Sequence, residues 1–115
     1  DTFNTCYSLS SVVIPDSVTS IGSGMFYNCY SLSSVVIPDS VTSIGDNAFR
    51  YCYGMAYYDF RASKSVPTIS NTNAFASIPS DCKIVVPDSL YSSWTTATNW
   101  STYASQIVKA SEFNG

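Results

Sequence analysis

Cys6, Cys29 and Cys52 recur at an interval of 23 residues, each followed at once by a tyrosine (Tyr7, Tyr30, Tyr53), and Asp16 and Asp39 keep the same interval. These are the residue types with chemistry to offer. Thiolates in a row can hold metal, paired carboxylates can bind calcium or exchange protons, and rows of aromatic rings can stack on sugars or on partner proteins. Zinc, however, asks for about four converging ligands, and the chain has no histidine. Asp16 and Asp39 stand in Pro-Asp-Ser turns with no further oxygen ligands in a defined loop, so they read as turn residues. Cysteines on equivalent strands would line up about 4.8 Å apart with parallel side chains, which packs thiols as small apolar groups and resists disulfide geometry. The expectation is therefore no catalytic residue, no metal and no cofactor. The exposed tyrosines are left as candidate binding residues.

What positions these residues is an internal repeat. The segment Cys29–Gly45, CYSLSSVVIPDSVTSIG, reproduces Cys6–Gly22 without one change. A period of about 20–29 residues is the mark of a solenoid, in which units that cannot bury their own apolar face stack on one another. Phe3, Phe26 and Phe49 keep the interval, and Phe75 follows after a short expansion through Ala62 to Asn73. The units are expected at about 3–25, 26–48, 49–74 and 75–90, with Cys6, Cys29 and Cys52 and the four phenylalanines as inward ladders. Leu9 to Ile14 and Leu32 to Ile37 follow L-x-x-L-x-L with β-branched substitutes, the strand segment of a leucine-rich repeat. Val12 and Ile14 alternate with Val13, as one buried face requires. Pro15 and Pro38 then end the strands, and Gly22 and Gly45 permit a tight bend.

The outward strand places form two rows: Ser11, Ser34, Tyr57 and Lys83 in one, Val13, Val36, Asp59 and Val85 in the other. Solenoids bind on such an extended face. Its chemically varied part is Tyr57, Asp59 and Lys83, with Arg50, Arg61 and Lys64 expected nearby. Cys82, one place past the leucine position, is the thiol expected to be most exposed.

The end of the chain differs in kind. Asp88 is expected to cap a helix with Leu90, Tyr91, Trp94 and Ala97 on one face, and Asn99 a second with Trp100, Tyr103, Ala104 and Ile107. Asn99-Trp100-Ser101 also fits a glycosylation sequon. Residues 88–108 read as a C-terminal cap in which Trp94 and Trp100 cover Ile84 and Val86, closing a single domain over 1–109. Residues 110–115 read as a disordered tail. The start at Asp1 falls within a repeat, as in a piece cut from a longer array. Phe3, Leu9, Val12 and Ile14 at that open end are expected to give end-to-end self-association or a frayed first repeat.

Five Lys and Arg residues against a net charge of −3 exclude a phosphate-tracking surface for nucleic acid, and no apolar run is long enough to cross a membrane as a helix. With the strands, the Ala48-Phe49-Arg50-Tyr51-Cys52 spacing and the I-P-D-S-V-T-S-I-G segments in hand, the chain resembles BspA-like leucine-rich repeats, the Treponema-type class. Its ending, with Trp94 and Asn99 to Ala104, is similar to terminal segments attached to such arrays. The fold class expected is α/β: a right-handed leucine-rich repeat solenoid with a short-stranded parallel sheet and a helical C-terminal cap. The resemblance implies a non-enzymatic protein-binding or glycan-binding adhesion module of a bacterial cell-surface or secreted protein. The alternative is a structural stalk presenting another domain.

Overall fold

The computed structural model describes residues 10–76 and 78–113; the expectations for Phe3, Cys6, Tyr7 and Leu9 lie outside them. Eight short strands follow in order: β1 Ser11–Val13, β2 Ser20–Ile21, β3 Ser34–Val36, β4 Ser43–Ile44, β5 Tyr57–Asp59, β6 Thr68–Ile69, β7 Lys83–Val86 and β8 Ile107–Lys109. They form two sheets, ordered β1-β3-β5-β7-β8 and β2-β4-β6, and every pair is parallel. Each of the first three repeats gives one strand to each sheet. Val12, Val35, Tyr58, Ile84 and Ile107 lie side by side in register, as do Val13, Val36, Asp59, Val85 and Val108.

The repeat explains the composition. Between strands the backbone has no ladder of its own, so equivalent turns bond across neighbouring units: Phe26 N donates to Ala48 O at 2.8 Å, and Phe49 N to Ala74 O at 2.7 Å. Hydroxyls supply further rungs, from Ser33 Oγ to Ser10 O at 2.9 Å and from Thr42 Oγ1 to Thr19 O at 3.3 Å. Serine and threonine therefore couple one unit to the next where charged side chains would only solvate a surface.

Inside, Phe26 stacks on Phe49 with ring centroids 5.1 Å apart, and Phe49 on Phe75 at 5.4 Å. Tyr58 meets Phe49 and Phe75 edge-on. Gly45 serves close approach: a Cβ there would lie 2.7 Å from Ser23 N, and its φ is not in the left-handed region, so the bend expected to need glycine does not.

The C-terminal segment departs from its expectation. Asp88 does not cap a helix, because its carboxylate is taken by the Ser111 N–H and hydroxyl. Only Tyr91–Thr96 (α1) is α-helical, flanked by 3-10 turns at Asp88–Leu90 and Trp100–Gln106. Asn99 has φ of +68° and makes no cap bond; its Nδ2 donates instead to Ile69 O at 3.0 Å. Ile107 is not helical either: Ile107 and Val108 are β-branched and pair with the edge of β7 as a fifth strand. Trp94 and Trp100, both buried, pack 5.3 Å apart and meet Phe60, while Trp100 Nε1 donates to Pro67 O at 2.7 Å. The expected tail is structured through Phe113: Ala110–Glu112 form a 3-10 turn, and the Phe113 ring lies 4.9 Å from that of Tyr57.

Candidate binding surfaces

Two surfaces carry the candidate residues. On the first, Tyr30 and Tyr53 stand outward, 44% and 56% exposed, with rings parallel and 5.5 Å apart. The backbone permits this because Gly54 lies against Tyr30 O, where a Cβ would come within 2.6 Å. Two further tyrosines, which the repeat interval does not single out, extend the row. Tyr51 lies 5.9 Å from Tyr53, and Tyr27 meets Tyr51 edge-on at 5.4 Å. Arg50 lies over the Tyr51 ring at 4.9 Å and donates to Asn47 Oδ1, so it belongs here and not beside Asp59.

The backbone beneath Tyr51 is informative. Asn28 and Tyr51 occupy equivalent repeat positions, and both are left-handed, with φ of +64° and +66°. Asparagine tolerates that region; a tyrosine there is an outlier costing about 1–3 kcal/mol. The third repeat accepts the strain and gains a fourth ring in the cluster. The signal in the sequence is the exchange of Tyr27-Asn28 for Arg50-Tyr51.

The second surface is the outward face of the longer sheet. Asp59 is neutralised locally, its Oδ1 accepting from Arg61 Nε at 2.9 Å and from Arg61 N at 3.0 Å. Lys64 pairs with the exposed Asp39 at 3.3 Å, away from the expected patch. Lys83 is half-buried beside Tyr57, which is covered by Phe113. Val85 overturns the expectation of an outward, open row: it is fully buried, whereas Val13 and Val36 in the same row are 72% and 37% exposed. The chain that leaves β8 turns back past Asp88, just beyond the end of β7, and brings Phe113 onto Tyr57 of β5, on the face that Val85 shares.

The cysteines also differ from expectation. Cys29 is disulfide-bonded, contrary to the unpaired ladder, since a spacing of about 4.8 Å lies within the Cα range a disulfide spans. Cys52 is free and buried, with its thiol donating to Phe26 O at 3.3 Å. Cys82 is free and likewise buried, not exposed. Burial pushes both thiols up to about 12. Loss of hydration is the main cause, with nearby Asp81 adding to it at Cys82. No cluster of three or more metal-ligating side chains occurs among the described residues. A groove between β6 and α1, lined by Val66, Ile69, Ala97 and Trp100, has the Pro67 and Ile69 carbonyls at its wall engaged by Trp100 Nε1 and Asn99 Nδ2, and Thr68 and Thr98 supply its hydroxyls.

Residues 1–108 match the family model described as the BspA type leucine rich repeat region, in six copies. No curated protein and no solved structure matches the chain.

Proposed function

Because the chain belongs to the BspA-type leucine-rich repeat family, we propose that it is a non-enzymatic binding or adhesion module of a bacterial cell-surface or secreted protein. Repeats of this family typically mediate protein binding or adhesion. In this reading the two parallel sheets are the walls of a right-handed solenoid, and Trp94 and Trp100 belong to a cap over its C-terminal end. The partner is a protein or a glycan. The observation that carries the reading is the surface of Tyr27, Tyr30, Tyr51 and Tyr53 with Arg50: four contacting rings at the edge of the repeats, one held on a strained backbone. Tyrosine gives broad contact at small entropic cost, and flat rings suit sugars and peptide side chains alike. Tyr7 holds the equivalent repeat position in the sequence and lies outside the described residues. Tyr57, Asp59 and Lys83 are a secondary site.

The test is a double variant, Tyr30→Ser with Tyr53→Ser, compared with the parent on arrays of matrix proteins and glycans. The expected result is a loss of at least about tenfold in affinity for whatever the parent binds, the size of effect seen for aromatic anchors at interfaces. Unchanged binding removes the tyrosine surface, and a parent that binds nothing on either array favours the stalk.

A further inference from the structure

The outward face of β5 and β7 carries an occupant supplied by the chain itself. Phe113 packs edge-on against Tyr57, and two residues earlier Ser111 donates from its N–H and its hydroxyl to Asp88, just beyond the end of β7. Between these two anchors, on the same face, Val85 has no exposure, while Val36, one row-mate away across Asp59, keeps 37%. The segment itself is lightly held: Ser111 and Glu112 are exposed and Phe113 only half-buried. The seat is thus filled by a strap of four residues whose middle two are exposed.

We propose that this face is a docking site for a short peptide, folded in a single 3-10 turn, that carries an aromatic side chain two residues after a serine or threonine, and that residues 110–113 are its intramolecular occupant, which a partner peptide displaces. Tyr57 reads the ring, Asp88 reads the hydroxyl and the N–H, and Val85 supplies the apolar floor between them. A tethered segment acts at an effective concentration in the millimolar range, so a partner of modest intrinsic affinity competes with it only where it adds contacts of its own. Val36 and Val13, uncovered on the adjoining strands, are where a longer peptide would gain them. The site is separate from the tyrosine surface, so either proposal can fail without the other.

The test uses the full chain with Ser111→Ala and Phe113→Ala, which frees the seat, titrated with the acetylated hexapeptide Ala-Ser-Glu-Phe-Asn-Gly and followed by backbone amide shifts. The expected result is saturable shifts at Tyr57, Lys83 and Val85, with the unaltered chain binding the same peptide at least about fivefold more weakly. The peptide with alanine in place of its phenylalanine should also lose at least about fivefold. No saturable shift, equal affinity for the unaltered chain, or equal binding of the alanine peptide overturns the proposal. Should the double variant misfold, as near-ultraviolet dichroism of Trp94 and Trp100 would reveal, Tyr57→Ala gives a second route. It should set residues 110–113 free on the nanosecond timescale, and a segment that stays rigid in that variant overturns the proposal equally.

Discussion

Val36 and Val85 occupy one row of one sheet, each with a strand on either side, yet the first is 37% exposed and the second is fully buried. The first two repeats and the last two differ in the same way throughout. The early units are near copies, joined by hydroxyl rungs and by backbones brought close at glycine, with a small, open outward face. The third unit replaces valine by Tyr58 and proline by Arg61, tryptophans meet Phe60 and Phe75, and Phe113 packs back onto Tyr57. Repetition thus fixes the register, while departures from it decide which surface is covered. A sheet can keep every hydrogen bond and still change its exposed chemistry from one strand to the next.

The sharpest way to break the contrast is at its aromatic end. Trp100→Ala removes a buried ring that touches Phe60, Phe75 and Trp94 and leaves Pro67 O without its donor, and should cost about 3–5 kcal/mol in urea unfolding. A loss below about 1 kcal/mol would mean that the later repeats do not depend on this packing. The buried thiols come next. Cys52 and Cys82 are held neutral, with folded values of about 12 against an ordinary 9.0, so their contribution is complete below pH 9 and fades as pH rises through 12. Stability should fall by a few kcal/mol across that alkaline window, since each tenfold change in a group's proton affinity on folding is worth about 1.4 kcal/mol. Neither thiol should react with a disulfide reagent near pH 8 in the folded chain, and rapid labelling would contradict the burial.

A smaller effect separates two glycines at equivalent repeat positions. Gly45→Ala drives a Cβ to 2.7 Å from Ser23 N and should cost about 1–3 kcal/mol, whereas at Gly22 the nearest atom is the Met25 methyl at 3.8 Å. Gly22→Ala should therefore stay within about 1 kcal/mol of the parent, and equal costs would show that the neighbouring unit does not press on Gly45. The slightest effect is on the strap. Asp88 is held below the usual carboxylate value by the Ser111 hydroxyl, then by the Ser111 N–H, with Lys109 adding to the pull. Its contribution is present above the ordinary carboxylate range and is lost as pH falls below it, so the amide of Ser111 should lose protection in acid before the amides of β7 do. Simultaneous loss would tie the strap to global unfolding.

The strands and their pairing are legible in the sequence because alternation and an unbroken interval constrain both face and register: Val12, Val35 and Tyr58 follow from counting alone. The C-terminal segment is not, because a helical spacing of aromatic residues says nothing about the edge of β7 that waits to be paired. Ile107 and Val108 satisfy that edge, and the pairing turns the chain back over the sheet. Phe113 reads as part of a tail for the same reason, since its partner Tyr57 lies two strands away and no local pattern links them. Of the tyrosine surface, the row at Tyr30 and Tyr53 follows from the period, but Tyr27 and Tyr51 join it by breaking the period, which a search for repetition passes over.

The most direct measurement is the attenuation of valine methyl signals by a soluble paramagnetic probe. A face left open over the early repeats and closed at β7 predicts strong attenuation at Val13, an intermediate loss at Val36 and almost none at Val85. Equal attenuation at all three would contradict it.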